Sequence, residues 1–329
     1  MTATDDYATA QTITLDDIPV IDLAPLIEQG DAQAVATPLM QAALHTGFFY
    51  IKNHGIDAQI IADAMAVSKV FFELEESIKQ SVAVDQQQRG WLATGMANLE
   101  GSATYDLKEI FFFGPEEWAQ RLLAKREQLP LVADNLWPQD MPDFKDKAMR
   151  YYDAVCELGQ QILKAIAVGM GEQEGFFAKR YTSPLGRCQM VYYPPSTHED
   201  EAELRFGAAA HTDFGVLTLL LQDNSGGLQV LNKQDTWVEA PPIDNTFVCN
   251  IGDLLHRWSN DYLVSNLHRV INRSGHERYS MPIFFDPDPD TIIDPKDFKR
   301  NQDQAAKYEA ISVADYIDSK NRKAFGQYK

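Results

Sequence analysis

The sequence has few cysteines, and their positions do not suit a disulfide-bonded or zinc-knuckle protein. Cys156, Cys188 and Cys249 are the three cysteines among 329 residues. An odd number at such wide spacing gives neither a disulfide framework nor a CxxC pair for a metal ion. Cys156 falls in a helical pattern and Cys249 in a strand-like run, so we expect buried free thiols, as in a reducing cytoplasm.

The sequence also lacks long hydrophobic runs. No stretch of 18 or more consecutive apolar residues occurs, so we expect no transmembrane helix. Residues 1–17 are polar and acidic, without the basic start and the apolar segment of a secretory signal. These absences predict a cytoplasmic protein that does not associate with membranes.

The sequence also has few positively charged residues relative to its acidic ones. Lys and Arg total 29 against 48 Asp and Glu, which gives a formal net charge of −19 at pH 7. Binding to nucleic acids or to anionic membranes needs a surface rich in Lys and Arg, so we expect neither partner. A local basic pocket is compatible with this balance. The charge balance therefore does not identify the substrate, and the oligomeric state is left open.

The chain divides into five stretches that we expect to form one compact unit. In order, they are a disordered tail (1–16), an N-terminal α/β region (17–130), a helical connection (131–184), a β-rich region (185–290) and a C-terminal helical segment (291–329). The longest helical pattern covers residues 150–170, where Val155, Leu158, Ile162 and Ile166 form one apolar stripe. Residues 81–105 are polar and contain glycine, which predicts loops.

The β-rich region alternates short runs of β-branched and aromatic residues with Gly, Pro, Asn and Asp. The predicted strands are residues 189–193, 215–222, 227–231, 246–251, 268–272 and 279–285. Many short strands separated by turns are typical of a sandwich or a barrel. The sequence therefore predicts a mainly β fold with flanking helices.

Two residues of metal-ligand type lie close together in His211-Thr212-Asp213. On a strand, side chains at i and i+2 project from the same face, so an imidazole and a carboxylate could bind one divalent ion. His268 is the candidate third ligand, from a distant predicted strand. Two histidines and one carboxylate form the facial triad of non-haem Fe(II) oxygenases, which leaves open positions on the metal.

The HxD pair alone is a weak signal, and other interpretations stay open. His211 could be a histidine at the edge of the core that is hydrogen-bonded to Asp213, and His268 one that is bonded to a backbone carbonyl. His256 is a rival third ligand, but it falls in a turn-flanked polar segment. We therefore expect His256 to lie behind the ligands or at the surface, and we expect His54 to be structural.

Another set of functional side chains lies on one face of the last predicted strand. Arg278, Ser280, Pro282 and Phe284 share strand parity. Arginine binds a carboxylate through two hydrogen bonds, and serine adds a third, so this face suits an acidic ligand with an apolar body. The alternative is a salt bridge from Arg278 to Glu277 or to another acid.

Together these residues resemble the isopenicillin N synthase-like family of 2-oxoglutarate/Fe(II)-dependent dioxygenases, over about residues 17–290. The N-terminal matches are Ile18–Leu23, Gly47–Tyr50, Asn53–Ile56, Phe71-Phe72, Glu75 and Lys79. The C-terminal matches are His211–Gly215, Gly226–Val230, Asn250–Asp253, Ser259-Asn260, Ser265, His268–Val270 and Arg278–Ser280. So many motifs in order make the resemblance specific. It implies a double-stranded β-helix, or jelly roll, over residues 185–290.

The resemblance implies a role for each matching residue. His211, Asp213 and His268 correspond to the iron ligands, and Arg278 with Ser280 corresponds to the R-x-S pair that usually holds the distal carboxylate of 2-oxoglutarate. Tyr193 corresponds to the tyrosine of the N-x-Y-P motif, which commonly helps to hold the same carboxylate. Phe284 corresponds to an aromatic residue on the substrate side, and Arg89 lies in a segment that resembles a loop near the pocket mouth. We expect Arg89 either to meet an acidic substrate or to be exposed.

The implied activity is oxidation of a small molecule, coupled to decarboxylation of 2-oxoglutarate to succinate and CO2. Its cofactors would be Fe(II), 2-oxoglutarate and O2, and the resemblance allows for stimulation by ascorbate. Family outcomes include hydroxylation, desaturation, cyclisation and ethylene formation, among which the sequence does not choose.

The sequence departs from the family pattern at one position, because Val191 replaces the asparagine of N-x-Y-P. A hydrogen bond near the cosubstrate is therefore expected to be missing. The R-x-S pair also leaves an alternative open, since in isopenicillin N synthase it serves the substrate and no oxoacid is consumed. An alternative of a different class is a sensor that binds metal and 2-oxoglutarate without turnover. The complete triad argues against it.

Overall fold

The computed structural model describes residues 10, 18–96, 105–129 and 131–324. Apart from Ala10, the predicted tail of residues 1–16 lies outside this part of the chain. The helices are α1 Ala24–Gln29, α2 Ala32–His45, α3 Ala58–Glu73, α4 Glu76–Lys79, α5 Gln120–Leu123, α6 Phe144–Gly169, α7 His198–Ala202, α8 Asp253–Trp258 and α9 Val313–Ala324. The strands are β1 Val20–Asp22, β2 Phe48–Lys52, β3 Gly90–Leu92, β4 Glu109–Phe113, β5 Leu185–Tyr193, β6 Ala208–His211, β7 Leu217–Gln222, β8 Leu228–Leu231, β9 Trp237–Glu239, β10 Phe247–Ile251, β11 His268–Val270, β12 Arg278–Asp286, β13 Ile292–Ile293 and β14 Ile311–Ser312.

Two sheets build the β-rich part of the molecule. The larger has eight strands in the order β1-β2-β10-β7-β12-β5-β4-β3, and the smaller has four in the order β6-β11-β8-β9. All neighbours pair antiparallel except β1 with β2. Side chains from both sheets pack into one apolar cluster. This is the predicted jelly-roll core with flanking helices, so the predicted fold class is confirmed.

The outer face of the larger sheet is covered by helices. Alternate residues of its strands pack there with α2, α3 and α6 into a second and larger apolar core. The predicted stripe on α6 is buried at every position, since Val155, Leu158, Ile162 and Ile166 are at most 3% exposed. Burial of this face stabilises the helix far more than its intrinsic propensity does.

Strand β12 shows how one segment serves both sides of the sheet. Tyr279, Met281, Ile283 and Phe285 join the core beneath the helices. Arg278, Ser280, Pro282 and Phe284 point the other way and line a cavity between the two sheets. The alternation follows from the two-residue repeat of a strand.

Several local expectations were wrong. Residues 81–105 were predicted to form loops, but they contain β3, whose Trp91 and Leu92 are buried. The polar composition of this segment did not indicate the short paired strand. The predicted C-terminal helix begins only at Val313, because β13 pairs with β14 before it. Helix α6 begins at Phe144, since Phe144 and Ala148 extend its buried stripe.

Two further expectations concern burial and membrane crossing. Cys156, Cys188 and Cys249 are buried and free, as predicted. Within the described ranges, no helix combines the length and the apolar character that a bilayer span requires.

Candidate metal centre

Three side chains of metal-ligand type meet inside the jelly roll. His211, Asp213 and His268 each offer one ligand atom, and these atoms lie within 4.8 Å of one another. Asp213 Oδ1 is 4.0 Å from His211 Nε2 and 3.7 Å from His268 Nε2. Strands β6 and β11 pair with His211 opposite His268. The ladder of the smaller sheet therefore brings a residue from a distant segment to the HxD pair.

One detail of the strand argument was wrong. His211 is the last residue of β6, whereas Asp213 lies beyond the strand in the loop before β7. Both side chains nevertheless line the cavity between the sheets. Backbone hydrogen bonds from Asp253 N to Asp213 O, at 2.7 Å, and from Leu254 N to Gly215 O hold the loop against the start of α8.

The loop that carries Asp213 is also shaped by close packing at glycines. A side chain at Gly215 would place its Cβ 2.1 Å from the carboxylate of Asp286, and one at Gly252 would place it 2.2 Å from the Gly215 carbonyl. Asp286 accepts a hydrogen bond from Val216 N at 2.7 Å. The glycine after Asp213-Phe214 is therefore required by space.

The Asp213 carboxylate is held through one of its oxygens. Thr218 Oγ1 donates to Oδ2 at 2.6 Å, and Asn250 Nδ2 donates to the same oxygen at 2.7 Å. Oδ1 is the oxygen that faces the two imidazoles. Partners of this kind fix the orientation of a metal ligand before the metal arrives.

Both histidines are held through Nδ1. His211 Nδ1 lies 2.7 Å from the carbonyl oxygen of Ala209, and His268 Nδ1 lies 3.3 Å from that of Asn266. A carbonyl only accepts, so each Nδ1 carries the proton and each Nε2 has a free lone pair beside Asp213 Oδ1. The hydrogen bond to a carbonyl, which could have marked His268 as purely structural, thus directs its Nε2 toward Asp213 Oδ1.

The surroundings set the charge states of the cluster. Burial, with His268 beside it, lowers the pKa of His211 to about 3. Burial alone would raise the pKa of Asp213, but His268, His211 and the bonds from Thr218 and Asn250 lower it. One carboxylate beside neutral imidazole is the protonation state in which such ligands bind a divalent cation.

The other candidate histidines lie elsewhere. His256 is on α8, where Nδ1 meets the Leu263 carbonyl at 2.6 Å and Nε2 lies 3.1 Å from Asp261. His54 is buried, and its Nδ1 accepts a bond from Ile56 N. Neither belongs to the cluster of ligand atoms.

Arg278 lines the same cavity as the cluster, which we call the Arg278 cavity. The guanidinium is fully buried. Its Nε donates to the Gly226 carbonyl at 2.7 Å, and its terminal nitrogens lie 3.4 Å from Ser280 Oγ and from Gln222 Oε1. Its hydrogen-bond partners in the part of the chain that the structure describes are thus neutral oxygens, and the alternative of a salt bridge to Glu277 or another acid is not found there.

The remaining predicted residues of this cavity are also brought together. The Tyr193 ring lies 4.7 Å from the Arg278 guanidinium, and the two residues are register partners on β5 and β12. Val191, the departure from N-x-Y-P, lines the cavity opposite Ser280. Phe284 lies between the Arg278 cavity and a neighbouring one, which we call the Arg187 cavity.

The expectation that Arg89 is exposed was wrong. The side chain is 1% exposed, so it is not a surface residue. Its guanidinium donates to the carbonyl oxygens of Gln87, Gln88 and Leu131. It contributes to the lining of neither cavity, although the adjacent Gln88 lines the Arg187 cavity.

Sequence reasoning missed three polar residues that the fold brings to the site. Two of them, Lys108 beside β4 and Gln189 on β5, line both cavities. The third, Arg187, lines the Arg187 cavity. Lys108 pairs with Asp106 at 2.9 Å and Arg187 with Asp286 at 2.9 Å. Strand parity places Arg187, Gln189 and Tyr193 on one face of β5, so the parity argument used for β12 would have found two of the three.

This donor set fits a divalent transition metal. Two imidazole nitrogens and one carboxylate oxygen face one point, and two histidines with one carboxylate are the ligands of non-haem Fe(II) sites. His211 and Asp213 border both cavities, so two different ligands could approach the metal from two sides.

Comparisons with known proteins agree with this arrangement. Residues 185–287 match the model of the 2OG-Fe(II) oxygenase superfamily. Residues 18–140 match a second model, described as the N-terminal region of non-haem dioxygenases in morphine synthesis. The first match contains the complete metal cluster and Arg278.

Relatives match over almost the whole chain. A probable iron/ascorbate oxidoreductase of Dictyostelium discoideum is 33% identical, over 97% of this chain and 94% of that protein. The 2-oxoglutarate-Fe(II) type oxidoreductase hxnY of Emericella nidulans is 33% identical, over 94% and 90%. A full-length Neurospora crassa protein, whose crystal structure contains alpha-KG and thymine, has a TM-score of 0.81 at 28% identity, over 94% of this chain and 98% of that one.

Proposed function

This chain belongs to the 2OG-Fe(II) oxygenase superfamily, and we propose that His211, Asp213 and His268 bind its iron. We further propose that Arg278, with Ser280 and Tyr193, binds the distal carboxylate of 2-oxoglutarate. The chain is accordingly an oxidoreductase that depends on Fe(II), 2-oxoglutarate and O2. The observation that carries the residue roles is a buried guanidinium without an acidic partner among the described residues, in one cavity with a facial-triad cluster.

The charge of Arg278 supports its assignment. A buried charge without a counter-ion is strongly disfavoured, and a carboxylate that accepts two parallel hydrogen bonds is its best partner. Ser280 Oγ lies beside the same guanidinium and can donate a further bond. The apolar walls that include Leu228 and Val270 exclude water around such a ligand.

When bound together, Fe(II) and 2-oxoglutarate supply the oxidation, in which O2 is consumed and the oxoacid leaves as succinate and CO2. The protein's own residues supply orientation. Thr218 and Asn250 keep Asp213 Oδ1 toward the metal position, and the Ala209 carbonyl keeps His211 Nε2 there. Ascorbate is expected to stimulate the reaction, by analogy with the relative named an iron/ascorbate oxidoreductase.

The primary substrate is proposed to be a small molecule that enters the Arg187 cavity. That cavity shares His211 and Asp213 with the Arg278 cavity, so its occupant would lie beside the metal. The Neurospora crassa protein was crystallised with thymine, which shows a relative of this fold holding a small molecule.

One experiment tests the roles of the cosubstrate and of Arg278. The purified protein, loaded with Fe(II), is titrated with 2-oxoglutarate without O2 while visible absorbance is followed; succinate is then assayed in air against a metabolite library. We expect saturable binding in the wild type and much weaker binding in Arg278→Ala. If iron binds but 2-oxoglutarate neither binds nor yields succinate, the isopenicillin N synthase-type alternative, in which Arg278 grips the substrate, is favoured.

A further inference from the structure

The cations of the two cavities differ in whether they have a carboxylate of their own. Lys108 lies 2.9 Å from Asp106, and Arg187 lies 2.9 Å from Asp286. Arg278 is bonded to neutral oxygens. Within the described part of the chain, the protein thus neutralises two of the three cations and leaves Arg278 for a ligand.

Both pairs are buried. Burial raises the pKa of Asp286 above its usual value, although Arg187 and the bond from Val216 N act in the opposite direction. Lys108, Asp106, Arg187 and Asp286 are each less than 10% exposed. Burial alone would lower the pKa of Lys108, but Asp106 raises it, so the ammonium stays charged. Buried ions of this kind persist only as pairs, since removing either partner leaves an uncompensated charge.

The charges of the loaded site can therefore be added up. Lys108, Arg187 and Arg278 give +3, and Asp106, Asp213 and Asp286 give −3, so the protein's sum is zero. Fe(II), with charge +2, and the dianion of 2-oxoglutarate together add no net charge. A charged substrate in the Arg187 cavity would unbalance a buried site, whereas a neutral one would not.

The hydrogen-bonding groups around the Arg187 cavity indicate which kind of neutral substrate it would bind. Among the residues that line this cavity, Arg187 Nε and Asn321 Oδ1 are buried and make no hydrogen bond within the described part of the chain. Lys108 has three N–H donors and meets one carboxylate. Gln189, which lines both cavities, has a side-chain amide that is not hydrogen-bonded to any described residue. Donors outnumber acceptors, which suits a ligand rich in carbonyl oxygen.

We propose that the primary substrate is an uncharged, carbonyl-bearing molecule of the amide, lactam or imide class, read by the Gln189 amide beside Lys108 and Arg187. An amide group offers one acceptor and one donor, as the Gln189 side chain does, so the two can form a pair of hydrogen bonds. Phe214 and Phe284 provide the apolar walls for the rest of the molecule. This inference rests on the proposed function, because the charge count includes iron and 2-oxoglutarate.

The test uses the protein loaded with Fe(II) and saturated with 2-oxoglutarate under anaerobic conditions, so that no turnover occurs. Benzamide, benzoate and benzylamine share one apolar body and differ in charge, and the binding of each is measured by calorimetry at pH 7. We expect benzamide to bind at least about tenfold more tightly than either ion. The proposal is overturned if benzamide is bound no better than the other two, whatever the affinities.

Two variants identify the residues responsible. Gln189→Leu removes both hydrogen bonds and should weaken benzamide binding about fivefold or more, whereas Gln33→Leu, on the exposed face of α2, should have no effect. Asp106→Asn leaves Lys108 without its counter-ion, so the preference should move toward benzoate. An unchanged preference in Asp106→Asn would contradict the charge argument.

The same samples separate this inference from the proposed function. Saturation with 2-oxoglutarate is verified by visible absorbance before any probe is added. If 2-oxoglutarate fails to bind, the proposed function fails. If it binds and the three probes are not distinguished, only the substrate class is wrong.

Discussion

The two faces of β12 differ completely, although their residues alternate along one strand. Met281, Ile283 and Phe285 are fully buried in an apolar core beneath the helices. Arg278 and Ser280 are buried as deeply, but they border a cavity that holds a metal-ligand cluster. Burial alone therefore does not separate structure from function in this molecule. The difference lies in whether each polar group has its partner within the protein.

The difference also predicts how each face responds to mutation. A change on the core face should lower the free energy of unfolding and leave ligand affinity alone. A change on the cavity face should do the reverse, since its groups are kept for ligands that the folded chain does not supply. The following predictions are arranged from the largest expected effect to the smallest.

The largest effect is expected at the metal cluster. Asp213→Ala removes one of the three proposed ligands, so Fe(II)-dependent succinate formation should fall to background while circular dichroism shows a folded protein. Asp140→Ala, an exposed position outside both cavities, is the control and should keep full activity. Full activity in Asp213→Ala would refute the assignment of the metal site.

The core face of β12 should give the next largest effect. Ile283→Ala deletes a fully buried side chain and should lower the free energy of unfolding by about 2–5 kcal/mol, as truncations in packed cores do. Ile292→Ala removes a side chain that is 55% exposed and should change it by less than about 0.5 kcal/mol. Denaturant unfolding of both variants measures this. Weaker iron binding in folded Ile283→Ala would contradict the separation of the two faces.

The cavity face of the same strand should show the opposite pattern. A hydrogen bond to a charged group contributes about 1.5–3 kcal/mol, so Arg278→Ala should raise the apparent KM for 2-oxoglutarate about 10- to 150-fold. Arg278→Lys should also raise it, because lysine lacks the planar pair of donors. Iron stoichiometry should stay at that of the wild type, and Arg322→Ala, on α9, should match the wild type. An unchanged KM would remove Arg278 from the cosubstrate site.

The smallest effect concerns pH in the metal-free protein. Burial lowers the pKa of His211 to about 3, whereas an unfolded histidine titrates near about 6.5. Below about pH 6.5 the unfolded chain binds a proton at this histidine and the folded chain does not, so the free energy of unfolding falls as pH decreases. From about pH 6.5 to about pH 5 the loss should be about 2 kcal/mol in the wild type and smaller in His211→Gln. His45→Gln, at an exposed position, should lose as much as the wild type. Equal losses in all three proteins would show that His211 is not the group responsible.

Sequence reasoning found those residues whose identity is fixed by chemistry and whose spacing is short. HxD and R-x-S are such patterns, and the family resemblance strengthened the assignment of His268 as the distant third ligand. Lys108 was missed because it lies just before β4, a run of mainly aromatic residues that carries no turn or motif signal. Asp213 was wrongly placed on a strand, because the contact of Gly215 with Asp286 that shapes its loop joins residues 71 positions apart.

Differences in partners also explain the error at Arg89. The sequence shows an arginine two residues before a tryptophan in a polar segment, which favours exposure. The structure instead surrounds its guanidinium with backbone carbonyl oxygens, including that of Leu131. Such partners belong to loops whose path the sequence does not specify, so a polar composition did not predict this burial.

The most direct test of the account is an anaerobic titration of the metal-free protein with Fe(II). It compares the wild type with His268→Ala and His256→Ala, since both histidines were candidates for the third ligand. We predict one tightly bound Fe(II) per chain in the wild type and in His256→Ala, and loss of tight binding in His268→Ala. Tight binding that survives in His268→Ala but is lost in His256→Ala would contradict the metal site and the cavity around it.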